Sequence, residues 1–557
     1  MGKTKLVIIG GVAGGATAAA RARRLDEQAE IVLFERGEYI SFANCGLPYY
    51  IGEVIKERDA LFVTTPKKFK ERYNIDIRNR AEVTALDRKS KKVEVKDLNT
   101  GETYWESYDK VILSPGAEPL RPPLEGIDLE NIFSIRNIPD TDRIKAHVDS
   151  EGARSAVIVG GGYIGIEMAE NLASRGVKTT VIEMLDQIMM PLDPEMAAMV
   201  QAHLTENGVT CELEKGVTSF SKNGDGIVVS TDAGDNIECD LVILSVGIRP
   251  ENHLAKQAGL EISERGGIRV DGTMRTSDPD IYAVGDAVEV RDFITGMPTM
   301  TPLAGPANKQ GRIAADNVMG RKSLFRGTLG TAVLKVFELT VTVTGANEKT
   351  LKANQIPYLK SYTHSVSHAS YYPGAKNMSI KLLFSPGTGK ILGAQIIGMD
   401  GVDKRIDVLA TAIHGDMTVH DLEELELAYA PPYSSAKDPV NVAGFVAANI
   451  LKGDVITTFW NDLPSGDGDK TVIVDLRNKE EIEKFGMIDG AANIPLPELR
   501  SRLGELDPEK LYIPYCRVGM RSYLGYRILS QNGFRVKNLS GGYMTYLGAH
   551  ARSVKGM

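Results

Sequence analysis

Twice in this chain an apolar run stops at a glycine-rich turn that opens a helix. The first run is Lys5-Leu-Val-Ile-Ile9, followed by Gly10-Gly-Val-Ala-Gly-Gly15 and an Ala/Arg-rich stretch of helical periodicity to Leu25. The second is Ala156-Val-Ile-Val159, followed by Gly160-Gly-Gly-Tyr-Ile-Gly165 and a helical pattern through Ser174. Each leads to another strand-like run that ends in an acid: Glu35 lies 25 residues after Gly10, and Glu183 lies 23 residues after Gly160. Strand, glycine turn, helix and strand make a βαβ unit. Its converging amides and helix dipole hold a pyrophosphate, its glycines permit close approach, and its terminal carboxylate meets a ribose hydroxyl. The second turn is complete, with Gly160, Gly162 and Gly165, whereas the first has Val12 in the middle and relies on Gly10, Gly11, Gly14 and Gly15. A further repeat, Asp109-Lys-Val-Ile-Leu-Ser-Pro-Gly-Ala-Glu-Pro119 against Asp240-Leu-Val-Ile-Leu-Ser-Val-Gly-Ile-Arg-Pro250, points to duplication of the unit.

At 557 residues the chain exceeds two such units, and its texture changes along its length. From about Gly327 it turns β-rich (331–343, 379–384, 391–397) before a helical 403–413, an α+β third domain. A Gly/Asp/Ser/Pro-rich stretch within 453–470 reads as a linker, and a short α/β unit opens at Thr471-Val-Ile-Val-Asp475. A net charge of -8 gives no basic field for nucleic acid or anionic lipid. The apolar start, residues 6–20, carries four glycines and is too short to span a bilayer, so neither a signal peptide nor a membrane anchor is expected. The four cysteines, Cys45, Cys211, Cys239 and Cys516, form no C-x-x-C pair, so no disulfide framework or metal site is expected, and a reducing cytoplasm fits.

Thr276-Ser-Asp-Pro-Asp-Ile-Tyr-Ala-Val-Gly-Asp286 resembles the flavin-side motif of flavoproteins with two dinucleotide-binding units. The resemblance implies that the first unit binds FAD, with Asp286 at its ribityl–phosphate part, and that the second binds the nicotinamide cofactor. Glu183 at the ribose position would accept from a 2′-hydroxyl and repel a 2′-phosphate, which favours NADH, while nearby Lys178 leaves NADPH open. Ser41-Phe-Ala-Asn-Cys45-Gly-Leu-Pro-Tyr-Tyr50 places a thiol before a short helix, where amides and dipole are expected to lower its pKa. With these segments the chain resembles the coenzyme A disulfide reductases and NADH-dependent persulfide reductases of the flavoprotein disulfide reductase superfamily. That resemblance makes Cys45 a single redox-active cysteine beside the flavin, with Ser41 and Asn44 in its substrate site. It makes Tyr371 and Tyr429 hydroxyl donors reaching the other subunit of a homodimer. It makes Arg21 and Arg24 coenzyme A phosphate ligands, Glu167 the group that orients the nicotinamide, and Tyr163 a cover over the flavin. Coenzyme A enters as substrate or bound ligand, and the other substrates are small disulfides, persulfides or polysulfides.

The C-terminal unit resembles a single rhodanese domain. Its loop Cys516-Arg-Val-Gly-Met-Arg521 spaces the cysteine from Arg521 by four residues, one fewer than a phosphatase loop, a smaller ring suited to a sulfur atom. Cys516 would carry sulfane sulfur, with Arg517 and Arg521 as substrate ligands. The expected architecture is α/β: two Rossmann-like FAD/NAD(P)-binding domains, an α+β dimerisation domain and a C-terminal α/β rhodanese domain. The boundaries are FAD domain 1–119 and 248–326, NAD domain 120–247, dimerisation domain 327–447, linker 448–467 and rhodanese domain 468–557. One rival is an NADH peroxidase or oxidase cycling Cys45 through sulfenic acid, but those relatives carry a His where this chain has Ala13. The other is a non-catalytic, NADH-responsive docking flavoprotein.

Overall fold

The computed structural model describes residues 3–150, 152–464 and 470–550. Among them, no helix is long and apolar enough to cross a membrane. The chain divides into two compact units, residues 1–186 with 208–330, and residues 187–207 with 331–557.

The first unit holds two parallel five-stranded sheets of matching topology. In one, Lys5–Ile9 lies between Lys110–Leu113 and Glu30–Glu35, with Ile281–Ala283 and Asp76–Asn79 outermost. In the other, Ser155–Val159 lies between Leu241–Leu244 and Lys178–Glu183, with Ile132–Phe133 and Thr210–Leu213 outermost. Near-continuous Val, Ile and Leu runs fit strands covered on both faces, and Leu6, Ile8, Leu33, Val157 and Ile158 are buried. The registers repeat: Ile9 pairs with Phe34 and Leu113, and Val159 pairs with Ile182 and Leu244.

The second unit contains an antiparallel sheet ordered Ala332–Val336, Leu339–Gly345, Ile391–Gly398, Asn377–Phe384, Leu359–Val366. It also contains a parallel sheet of Ala492–Asn493, Thr471–Asp475, Leu511–Tyr515 and Arg535–Val536. Two expected boundaries change. Residues 448–451 end the helix Pro439–Leu451, and Thr457–Thr458 pairs with Asn538–Leu539, so much of the stretch expected as linker is ordered structure. Residues 465–467 of that linker lie outside the described residues. Residues 187–207, expected in the NAD domain, belong to the second unit.

The helix Pro194–Glu206 in this excursion is fastened by buried charge. Lys381, fully buried, ion-pairs with Asp193 at 2.8 Å, with Glu348 at 2.5 Å and with Glu195. Gln395 donates to Asp193 at 2.7 Å, and the Tyr362 hydroxyl donates to Glu195 at 2.8 Å. Burial alone would drive Lys381 toward neutrality, but the carboxylates of Glu195, Asp193 and Glu348 hold its pKa above the usual lysine value. The same unit seats the helix Gly542–His550, through the His364–Thr545 hydrogen bond at 2.8 Å and that from the Tyr362 amide to Ser540 at 3.3 Å.

Candidate functional site

The two glycine turns share their backbone contacts at the first and last glycine. Gly10 (φ +98°) donates to the Phe34 carbonyl at 2.8 Å, and Gly160 (φ +105°) donates to the Ile182 carbonyl at 2.8 Å. A Cβ on Gly15 would stand 1.9 Å from the Gly10 carbonyl oxygen, and one on Gly165 2.0 Å from that of Gly160. These glycines are required by helix–strand packing. Gly162 differs: a Cβ there meets nothing within 4 Å, so this position faces open space and no protein contact requires glycine. The helices Ala13–Leu25 and Tyr163–Ser174 have neither a side-chain cap nor an acid in their first turn, which leaves their amides and positive dipole ends for an anion.

The terminal acids are equally matched. Glu35 accepts from the amides of Gly11 at 2.8 Å and Gly37 at 2.7 Å; Glu183 accepts from those of Gly161 at 2.8 Å and Leu185 at 2.9 Å. Each carboxylate is thereby fixed beside its glycine turn, in the position a ribose diol needs. Asp286 sits in the tight turn after the strand Ile281–Ala283, where the Gly285 amide donates to Gln310 at 2.8 Å. Burial raises the Asp286 pKa, with Arg136 opposing. The open Gly162 cradle, the uncapped helices and the pinned acids fit two dinucleotides.

Cys45 lies in the turn Asn44–Gly46 that runs into the helix Leu47–Ile51. Ser41 reaches back to donate its amide to Gly11 at 2.9 Å, adopting a left-handed φ of 47°. The Cys45 helix packs against the NAD-side helix Tyr163–Ser174: a Cβ on Gly52 would strike Asn171 Oδ1 at 2.0 Å, and Arg175 donates to the Ile51 carbonyl at 3.2 Å. This close approach brings Cys45, Tyr49 and Glu167 into one electrostatic cluster, with the Tyr49 hydroxyl donating a long 3.4 Å bond to Glu167. Burial and the Glu170 carboxylate, against the Tyr49 hydroxyl, push Glu167 up to about 7. Tyr163 is pushed up to about 12 by burial.

The expected lowering of the Cys45 pKa is overturned. Although the residue retains an exposed edge, enough protein surrounds the sulfur for desolvation to raise its pKa, and the carboxylates of Glu167 and Asp286 add to the rise. A turn and five-residue helix supply a dipole too small to outweigh them. Cys211 and Cys239, pushed up to about 12 chiefly by burial, remain neutral thiols away from this cluster.

In the second unit Cys516 follows the strand Leu511–Tyr515 and is 1% exposed. The Gly519 amide donates to its sulfur at 3.2 Å, and Gly519 holds a left-handed φ of 113°, which curls the loop around the thiol. Arg521 faces this sulfur while Glu481 grips it with two bonds of 2.6 and 2.7 Å. Below the loop, buried Arg477 pairs with Asp475 at 2.6 Å.

Residues 4–311 match the family model described as pyridine nucleotide-disulphide oxidoreductase, residues 331–439 its dimerisation domain, and residues 460–549 a rhodanese-like domain. The chain belongs to the pyridine nucleotide-disulphide oxidoreductases. It is 36% identical over 447 residues to a coenzyme A disulfide reductase of Staphylococcus haemolyticus, covering 80% of this chain and 100% of that one. Its fold is similar to that of reduced Bacillus anthracis CoADR-RHD, with a TM-score of 0.97, 50% identity and 99% of both chains covered. It is also similar to an NAD-dependent persulfide reductase from A. fulgidus, with a TM-score of 0.92, 38% identity, and 98% of this chain and 100% of that one covered.

Other sequence-predicted residues of this oxidoreductase fall unevenly. Tyr371 and Tyr429 come together, their hydroxyls 2.7 Å apart and both rings exposed. Tyr429 also lines an open cavity of about 460 Å³ with Lys404 and Tyr433. Arg21 is bound to Asp316 at 2.7 Å, with both side chains largely covered, so its charge is already compensated, whereas Arg24 is exposed. Asn44 is exposed beside Cys45. Sequence reasoning missed Tyr49, one helical turn beyond Cys45, and Gly52, whose missing side chain lets the two helices meet. The spacing of Cys45, Tyr49 and Gly52 was visible, but their common neighbour, the helix holding Glu167, was not.

Proposed function

We propose that this protein uses NADH to reduce sulfur–sulfur bonds at Cys45, and that Cys516 receives or supplies sulfane sulfur as a persulfide. FAD would be held by the turn of Gly10, Gly11, Gly14 and Gly15 with Glu35 and Asp286, and would supply there the conversion of hydride equivalents from NADH into electrons for thiol chemistry. The observation that carries the reading is the pairing, in one chain, of a solitary thiol in the turn before the helix packed against the Glu167 helix with an amide-lined thiol loop. The relatives' names supply the substrate class: coenzyme A disulfide or an organic persulfide.

Cys45 attacks sulfur only as thiolate. Two carboxylates oppose that charge, and protonation of Glu167, whose pKa stands near 7, removes one of them. Glu167 thus ties the ionisation of Cys45 to the NAD-side helix. The exposed Tyr371–Tyr429 pair supplies a hydroxyl proton to a departing thiolate of the partner subunit. The dimerisation domain supports a homodimer, and four free thiols support a reducing, cytoplasmic setting. Glu183, with Met184 and Leu185 after it, supports NADH over NADPH. Arg24 is the better supported of the two arginines for a coenzyme A phosphate, because Asp316 already engages Arg21.

The test compares Cys45→Ser and Cys516→Ser. Cys45→Ser should abolish NADH-dependent turnover of coenzyme A disulfide and of persulfides. Cys516→Ser should lower sulfur transfer from persulfide donors far more than reduction of coenzyme A disulfide. Retained turnover in Cys45→Ser, or rapid NADH consumption by wild-type protein with oxygen or peroxide as sole acceptor, overturns the proposal.

A further inference from the structure

Around the Cys516 loop the charges divide into two sets. Arg521 and Arg477, the inner pair, are compensated by Glu481 and Asp475. At the mouth, the Arg517 guanidinium lies 4.4 Å from the centre of the Phe485 ring, and the Lys484 ammonium lies 5.1 Å from the same ring. Among the described residues neither Arg517 nor Lys484 has a carboxylate partner, so two cations share one aromatic platform.

That platform is built in. Tyr543 donates its hydroxyl to the Phe485 carbonyl at 2.9 Å, and Arg477 donates to the next carbonyl, Gly486, at 2.7 Å. Gly486 takes a left-handed φ of 73° that turns the chain at this point. The Tyr543 backbone amide in turn donates to the Cys516 carbonyl at 2.8 Å, so the Phe485 backbone and the thiol loop are held by one residue. The Cys516 loop and the helix Met520–Gln531 that follows it carry exposed apolar side chains: Val518 at 37%, Leu524 at 46% and Met520 at 66%.

We propose that Lys484, Phe485 and Arg517 form a docking subsite for the anionic tail of an organic persulfide that delivers sulfur to Cys516. The inference rests on the reading of Cys516 as a persulfide carrier and names its donor class. The thiol is buried in a charge-balanced loop, while the uncompensated charge stands outside it. A suitable donor therefore keeps its anion several bonds from the reactive sulfur, joined by an arm that bridges the two. Thiosulfate, whose charge adjoins its sulfane sulfur, lacks that separation. In the step itself, the Cys516 thiolate attacks the terminal sulfur of R–S–SH. The new Sγ–S bond forms as the donor S–S bond breaks, R–S⁻ leaves with the electron pair, and Cys516–S–SH remains, with no net oxidation.

The test uses the full chain and measures kcat/KM for persulfidation of Cys516 by alkylation and mass spectrometry. The donors are coenzyme A persulfide, glutathione persulfide and pantetheine persulfide, with phosphate, carboxylate and neutral tails. In Lys484→Gln/Arg517→Gln, the advantage of the anionic donors over pantetheine persulfide should fall about tenfold, and its decline with added salt should flatten. Phe485→Leu, which keeps both charges and an apolar body, should lower the same ratio by a smaller factor. Loss confined to coenzyme A persulfide assigns the subsite to phosphate, and loss for both anionic donors assigns it to anions generally. An unchanged ratio, or an equal fall for all three donors, overturns the subsite. Absence of any persulfide on Cys516 of the wild type with all three donors would instead reject the underlying carrier role.

Discussion

Replacing Lys381 by Met tests how the excursion 187–207 is held. The methionine keeps most of the length and removes the charge, leaving Asp193, Glu195 and Glu348 buried together with Lys360, 3.0 Å from Glu348, and the exposed Lys352, 3.6 Å from it, as the remaining cations at Glu348. Removing one partner from a buried ion network costs about 3–5 kcal/mol, because the remaining charges stay desolvated and unpaired. In a unit of roughly 250 residues this lowers the melting temperature by about 10 °C. The chain has two compact units, so its unfolding is followed by calorimetry together with hydrogen exchange at residues 187–207, which reports their release directly. The sign with pH is also fixed. Burial opposes the charge on Glu348, but Lys381 and Lys360 win and bring its pKa down to about 2. Against an unfolded value of about 4.5, that difference contributes about 3 kcal/mol, present above pH 4.5 and lost as the pH falls toward 2. The wild type therefore weakens on acidification, while the variant, whose carboxylates are relieved by protonation, loses less. The gap between the two proteins should narrow below pH 5. A deficit under 1 kcal/mol at pH 7, or one that does not change with pH, refutes the argument that Lys381 secures this segment.

The two kinds of glycine should separate in one experiment. Gly162→Ala meets no protein atom and should melt like wild type while binding NADH at least tenfold more weakly in a titration, whereas Gly165→Ala, driven against the Gly160 carbonyl, should destabilise the first unit by several kcal/mol. The KM for NADH should show an inflection near pH 7, as Glu167 titrates, and Glu167→Gln should flatten it; an inflection that survives moves the titration to another group. Tyr371→Phe and Tyr429→Phe should each lower disulfide turnover about tenfold or more, with the double variant little worse than either alone, because their 2.7 Å contact makes them one unit; strictly additive losses would show two separate roles.

What the sequence made legible is what the backbone dictates. Gly10 and Gly160 hold positive φ, and Gly15 and Gly165 touch a carbonyl, so chemistry confines these positions to glycine and the repeat is visible as letters. Glu35 and Glu183 end strands whose Val/Ile pattern is equally plain. The excursion was hidden because the helical period of 194–206 names a buried face and not the sheet that covers it. The linker was misjudged for a related reason: Thr457–Thr458 finds its partner strand at Asn538–Leu539, far along the chain, so its polar composition suggested a loop. Arg21 read as a free cation because Asp316 stands 295 residues away.

Cys45 shows why charge is harder to read than shape. A helix following a cysteine is a local signal and argues for a low pKa, yet the groups that decide the matter, Glu167 and Asp286, come from other segments and act in the opposite direction. Desolvation and these two carboxylates all act against the thiolate, and a dipole as short as this helix provides does not offset them. The thiolate must therefore gain its stability from positive charge or hydrogen-bond donors brought to the cluster, or from protonation of Glu167. In the second case the ionisation of Cys45 is tied to a group on the helix Tyr163–Ser174. The thiolate fraction of Cys45, followed by its absorbance near 240 nm, should rise when Glu167 is replaced by Gln. An unchanged titration of Cys45 in that variant would separate the two groups and leave desolvation alone as the cause of the raised pKa.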